Sequence, residues 1–170
     1  MQVFANGLRI EVDDRGPRDG EAILLIMGLS MQLIAWPEEL VSDLVARGYR
    51  VIRFDNRDIG LSQGFDELGV PNIALAAMRH ALHLPVRSVY GLRDMARDAL
   101  GVMDALGVAR AHVVGASMGG MIAQHLAADA PERVSSLTLI MTTTGARWLP
   151  RPPWHVRREL MSRPMGQDEA

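Results

Sequence analysis

The sequence contains no cysteine and no excess of either charge. Without cysteine, the chain can form no disulfide, no thiolate metal site and no cysteine nucleophile. The 18 Lys and Arg residues against 20 Asp and Glu give a formal net charge of −2, so we expect no basic surface for nucleic acid. What remains is an ordinary globular composition over 170 residues, 48% hydrophobic and 22% charged, which is enough for one domain with one core.

Long hydrophobic runs are also missing from the sequence. The N-terminus has neither a basic region nor a long apolar stretch, so it does not resemble a secretory signal. The most apolar segment, residues 22–29, is far too short to cross a bilayer. We therefore expect a soluble cytoplasmic protein that binds neither membrane nor nucleic acid.

Hydrophobic periodicity predicts an alternation of strands and helices. Asn6-Gly7 separates two short runs and predicts a tight β-hairpin, followed by a polar loop over 13–20. The continuous apolar run over 22–27 is typical of a strand buried on both faces. Further strands are predicted over 50–54, 111–114 and 134–141, and helices over 37–47, 72–84, 92–106 and 118–128. This order predicts an α/β fold with a mostly parallel sheet, helices on both faces and an N-terminal antiparallel hairpin.

The segment from Gly115 through Ser117 to Gly119 is a Gly-x-Ser-x-Gly motif. Alone the motif is weak, but here it follows a predicted strand and precedes a predicted helix, as a nucleophile elbow requires. The two glycines suit a corner at which strand and helix pack closely. The serine would then lie exposed at a helix N-terminus, where the helix dipole favours developing negative charge.

Two other interpretations of this segment remain open. One is a structural glycine-rich turn with an incidental serine. The other is the phosphate loop of short-chain dehydrogenases, which residues 115–117 resemble. That loop needs a glycine where this chain has Met121, and it belongs after the first strand, whereas two strand–helix units precede it here.

A second candidate element follows the strand over 22–27. Acyl transfer passes through an oxyanion that two backbone N–H groups usually hold, one after the nucleophile and one after an earlier strand. Met118 fits the first role, and Leu29, directly after Gly28, fits the second. The alternative for residues 28–29 is an ordinary turn at the end of a strand.

Taken together, these segments resemble the α/β-hydrolase family. Residues 27–28 (Met-Gly) stand where the family commonly has His-Gly, residues 54–62 resemble its Asp-x-Arg-Gly-x-Gly-x-Ser loop, and residues 112–121 resemble its elbow. With Trp-Pro at 36–37, the likeness is greatest to the aclacinomycin methylesterase branch. The resemblance implies a Ser-His-Asp/Glu hydrolase acting on a small-molecule carboxylic ester, with no cofactor. Lactonases, haloperoxidases and C–C hydrolases share the serine elbow, so the substrate stays open. We expect no metal site and a structural role for the loop at 55–62, with a catalytic role as the alternative.

The acid and histidine of such a triad have no good candidate in this sequence. The family order is Ser, then acid, then His. Asp129 lies on the helix of Ser117 and points away from its start, while Asp168 and Glu169 follow His155 in the wrong order. Packing or surface roles suit the remaining histidines, His80, His83, His112 and His125.

We therefore expect a C-terminally truncated family member. Residues 1–147 would form the N-terminal part of the core, and 148–170 the start of a cap or an irregular tail, with later strands and most of the cap absent. Two functions stay open: a serine ester hydrolase completed by further sequence, and a catalytically incompetent fragment or binding module. The last strand would be an exposed, uncharged edge prone to self-association, with the apolar residues Leu137, Leu139, Ile140 and Met141.

Overall fold

A computed structural model describes residues 1–69, 76, 78–79, 82, 84–85, 88–146, 149, 153–156 and 158. Its strands are β1 (Gln2–Ala5), β2 (Leu8–Arg15), β3 (Ala22–Ile26), β4 (Arg50–Phe54), β5 (Ala111–Ala116) and β6 (Val134–Ile140). Its helices are α1 (Glu38–Ala46), α2 (Leu92–Ala105) and α3 (Met118–Asp129). Most of the predicted helix over 72–84 and most of the tail over 148–170 lie outside the described residues, so the division after residue 147 stays a prediction.

The strands form one mixed sheet in the order β1-β2-β4-β3-β5-β6. β1 and β2 are antiparallel, β2 joins β4 antiparallel, and β4, β3, β5 and β6 run parallel. The predicted fold class is therefore confirmed. In the part of the chain that the structure describes, no helix is long and apolar enough to cross a membrane.

The N-terminal hairpin forms because Asn6 and Gly7 both adopt positive φ, 49° and 80°, as a two-residue turn between twisted strands requires. The predicted loop over 13–20 is wrong at its start, because β2 continues to Arg15. Arg53 binds Asp13 at 2.7 Å and Arg50 binds Asp14 at 2.8 Å. These pairs neutralise two adjacent carboxylates, which lie in the segment that the sequence pattern predicts to be a loop.

The ion pairs also determine how Asp13 titrates. Partial burial would raise the pKa of its carboxyl, but hydrogen bonds from Arg53 and Arg15 outweigh burial and hold that pKa below its usual value. The carboxylate therefore stays charged at neutral pH. It supports the strand instead of breaking it.

β3 lies at the centre of the sheet, and all five of its residues are buried. Leu24 and Ile26 face a core formed with α2 and α3, whereas Ile23 and Leu25 face a smaller core formed with α1. Successive strand residues point to opposite faces, so an entirely apolar strand needs helices on both sides. The structure supplies them.

β6 is an edge strand that pairs only with β5 among the described residues. Leu137, Leu139 and Ile140 are 37%, 42% and 38% exposed, and Met141 directly after the strand is 81% exposed. An uncharged apolar edge offers unpaired backbone groups and hydrophobic surface to a second chain.

We therefore expect the isolated 170-residue chain to self-associate through β6. Leu139→Lys should shift the chain towards monomer in sedimentation velocity, because a charge on an edge strand opposes edge-to-edge pairing. The matched control is Phe4→Lys, which places the same charge at an exposed apolar position on the opposite edge strand. A monomeric wild-type chain, or an equal response to both substitutions, would contradict the expectation.

Candidate active site

Ser117 occupies the corner between β5 and α3. Its backbone has φ 52° and ψ −118°, and its side chain is exposed. Residues other than glycine rarely adopt positive φ, because the Cβ atom crowds the neighbouring carbonyl. The corner is held by hydrogen bonds from the Ser117 N–H to the Ile140 carbonyl at 2.9 Å and from the Gly120 N–H to the Ser117 carbonyl at 3.0 Å.

Gly115 and Gly119 lie where strand and helix come closest. A Cβ atom at Gly115 would lie 2.6 Å from the Cα atom of Gly120, and one at Gly119 would overlap the Ile26 carbonyl. Real side chains do not make such contacts, so both positions exclude any larger residue. The elbow helix therefore packs directly onto the end of β3.

The turn after β3 lies beside Ser117. A Cβ atom added at the buried Gly28 would come within 3.2 Å of the Ser117 Cβ and 3.7 Å of its Oγ. Leu29 follows directly and is 53% exposed. Met118 is the first residue of α3, so its N–H has no acceptor within the helix. The backbone segments of both predicted oxyanion donors thus flank the serine.

A threonine that the sequence did not single out also supports this corner. Thr142 follows β6, and its Oγ1 donates to the carbonyl of Ser117 at 2.7 Å. Its side chain occupies space that only a glycine leaves free, because a Cβ atom at Gly120 would lie 2.6 Å from Thr142 Cγ2. No sequence pattern predicts this contact, because it joins residues 25 positions apart.

The loop after β4 is anchored by a buried ion pair between Arg57 and Asp98 of α2. Arg57 Nε and one terminal nitrogen bind the two carboxylate oxygens at 2.6 and 2.7 Å. The guanidinium also lies 5.8 Å from the ring centre of Phe65 and 5.1 Å from that of Tyr90. Burial disfavours its charge, but the bonds to Asp98 prevail and raise the pKa of Arg57.

A second contact fixes the same loop from the side of Tyr90. Its hydroxyl donates to Asp58 Oδ2 at 2.9 Å, and the other oxygen of Asp58 accepts the N–H of Phe65. Burial, followed by this hydrogen bond, raises the pKa of Tyr90 to about 12. The predicted structural role of the loop at 55–62 agrees with these contacts.

The structure gives the described histidines and acids contacts or locations that do not involve Ser117. His112 Nδ1 hydrogen-bonds Ser136 at 2.8 Å, His155 stacks edge-on against Trp154, and Asp129 pairs with Arg93 at 2.9 Å. His125 lies half-buried in α3, while His80, His83, Asp168 and Glu169 lie outside the described residues. Within the described ranges, no three His, Cys, Asp or Glu side chains come together in a way that could hold a metal ion.

The backbone strain at Ser117 should lower the free energy of unfolding. Ser117→Gly should raise the free energy of unfolding by about 1 kcal/mol relative to Ser117→Ala, because glycine adopts this backbone region without the cost that alanine retains. Urea denaturation of the two variants measures the difference. Equal stability would mean that the positive φ carries no strain.

The ion pair beneath the loop should be a large contributor to stability. Asp98→Asn should lower the free energy of unfolding by about 3 kcal/mol, because the buried Arg57 guanidinium loses its countercharge. Asp129→Asn is the matched control, since the Arg93–Asp129 pair is 61% and 42% exposed and should be worth less than about 1 kcal/mol. Similar losses in both variants would contradict the assignment.

Comparison with known proteins agrees with this geometry. Residues 21–167 match the family model described as alpha/beta hydrolase fold. The chain is 43% identical over 119 residues to rhodomycin D methylesterase of Streptomyces sp. (strain C5), covering 70% of this chain and 34% of that protein. The chain thus spans about a third of that relative's length. The predicted methylesterase-like branch is supported by this identity.

Two solved structures extend the comparison. A hydrolase from Pseudomonas aeruginosa superposes with a TM-score of 0.67 at 26% identity, over 95% of this chain and 51% of that one. The enol-lactonase from Burkholderia xenovorans gives a TM-score of 0.62 at 27% identity, over 81% of this chain and 45% of that one. With the family model covering most of the sequence, the chain belongs to the α/β-hydrolase family.

Proposed function

We propose that Ser117 is the nucleophile of a serine hydrolase that cleaves a small-molecule carboxylic ester. The observation that carries the proposal is the exposed serine at φ 52° at the start of α3. Maintaining a non-glycine residue in this conformation is unfavourable, and such strain concentrates at functional sites. If this position had only a structural role, glycine would fill it without strain, because glycine adopts positive φ freely.

The proposed reaction proceeds through an acyl-serine. Ser117 Oγ attacks the ester carbonyl and forms a C–O bond, while its proton passes to a general base. The N–H groups of Leu29 and Met118 bind the resulting oxyanion, assisted by the positive end of the α3 dipole. The C–O bond to the alcohol then breaks, the alcohol leaves with a proton, and water hydrolyses the acyl-serine.

The likeness to a methylesterase favours an ester of a small alcohol. The identity to that relative, 43% over 119 aligned residues, supports an ester substrate for this chain. A serine at the elbow is consistent with acyl transfer. An α/β-hydrolase with aspartate at this position would instead form an alkyl-enzyme ester.

The general base and its acid would come from residues beyond those described, because His125 lies about two helical turns along α3 from Ser117 and the other described candidates are engaged elsewhere. His112 bonds Ser136, and Asp129 pairs with Arg93. The same observation favours a second candidate function, a non-catalytic binding module. Without a base, a serine hydroxyl is a poor nucleophile.

A fluorophosphonate probe distinguishes the two functions. Labelling of the wild-type chain at Ser117, lost in Ser117→Ala, would support an assembled serine nucleophile. In the protein extended by the sequence that supplies the base and the acid, turnover of a p-nitrophenyl ester should fall by at least about 10⁴-fold in Ser117→Ala, because the nucleophile is gone. Ser42→Ala is the matched control, since Ser42 lies exposed on α1. An unlabelled wild-type chain would favour the binding module, and full turnover in Ser117→Ala would refute the nucleophile.

A further inference from the structure

The turn after β3 is held at both ends by two buried side chains of the β4 loop. Asp55 and Asn56 follow β4 directly and are only 2% and 1% exposed. Asn56 Nδ2 donates to the carbonyl of Met27 at 3.0 Å, and Asp55 Oδ1 accepts the N–H of Leu33 at 2.7 Å. Between these two bonds lies Leu29, the residue proposed above to bind the oxyanion.

The turn has little support of its own. Ser30 adopts φ 58°, and the hydrogen bond from the Met31 N–H to the Gly28 carbonyl is long, at 3.4 Å. Leu29 and Met31 are 53% and 45% exposed, so apolar packing fixes neither of them. A strained turn of this kind persists only where its surroundings hold it. Here the surroundings are the bonds to Asp55 and Asn56.

Stability alone does not explain these two polar residues. Asn56 Oδ1 is buried and has no hydrogen-bond partner among the described residues, which is a cost that an apolar side chain would avoid. The second oxygen of Asp55 accepts the N–H of Leu61 at 3.0 Å. Gly60 leaves space for that carboxylate, because a Cβ atom there would overlap it. Both side chains are used to fix backbone atoms at defined positions.

We propose that Asp55 and Asn56 are positioning residues that set the oxyanion hole through the two ends of the β3 turn. The proposal rests on the proposed function, because it takes the N–H of Leu29 as an oxyanion donor. Without the two bonds the turn would relax, and this N–H would no longer point at the space above Ser117. Such a displacement slows the chemical step more than it weakens binding, because the donor acts on charge that develops in the transition state.

The test compares three substitutions in the 170-residue chain. Asn56→Leu removes the donor to Met27 at similar volume, and Asp55→Asn removes one of two acceptors. Asp58→Asn is the matched control, since Asp58 lies in the same loop and also accepts two hydrogen bonds, from Phe65 and Tyr90. Asn56→Asp serves as a second variant should Asn56→Leu fail to fold.

Two measurements are made on each variant, with the melting temperature recorded alongside. The first is the rate at which a fluorophosphonate forms the O–P bond with Ser117 and releases fluoride, at saturating and subsaturating probe. The second is amide hydrogen exchange in residues 28–33. The maximal labelling rate should fall about tenfold to a hundredfold in the Asp55 and Asn56 variants. The half-saturating probe concentration should stay within about twofold, exchange over 28–33 should accelerate, and Asp58→Asn should match wild type.

Unchanged labelling and exchange in Asn56→Leu would overturn the proposal. So would an equal loss in Asp58→Asn, which would indicate general destabilisation of the loop. A wild-type chain that is not labelled at all would instead mean that it assembles no general base, which favours the binding module over the proposed function. In that case the exchange data alone test whether Asp55 and Asn56 hold the turn: faster exchange in both variants would show that they do, and unchanged exchange would overturn the proposal.

Discussion

The close approach of α3 to the ends of β3 and β5 is the constraint on which the site depends. No side chain fits at Gly115 or Gly119, so the chain can turn from strand into helix within a single residue. That residue, Ser117, takes the positive φ. Were the helix one side chain farther from the sheet, the serine would lose its exposed position at the helix start.

Parallel strands bring the other parts of the site to the same edge. The loops after β3, β4, β5 and β6 all leave the sheet at its carboxyl end, where open α/β sheets bind ligands. The turn at Gly28 meets the serine from β3, Asp55 and Asn56 reach that turn from β4, and Thr142 meets the elbow from β6. Four segments that are distant in sequence thus meet because the strand order places them side by side.

Sequence patterns predicted the parts of this arrangement that local chemistry determines. The hairpin turn at Asn6, the buried strand β3 and the strand–helix corner at Ser117 each follow from residues within a few positions of one another. The continuation of β2 could not be predicted, because the two buried cations that bind Asp13 and Asp14, Arg53 and Arg50, lie 40 and 36 residues away.

The supporting contacts of the site were missed for the same reason. Asn56 and Thr142 each bind a single backbone carbonyl, 29 and 25 residues away respectively. Such a bond leaves no periodicity or motif in the sequence. It emerges only after the strand order has brought the two segments together.

The distribution of buried polar groups follows from the same geometry. Asp55, Asn56, Arg57 and Ser62 are buried in the β4 loop, and Asp98 beneath it is 1% exposed. An apolar loop would cost less to bury, but dispersion contacts are non-directional and tolerate sliding. Hydrogen bonds specify where a carbonyl or an N–H must lie. Under the proposed function, the β3 turn must hold one backbone N–H beside the reacting oxygen, and it therefore gains more from polar bonds than from packing, even where those bonds do not maximise stability.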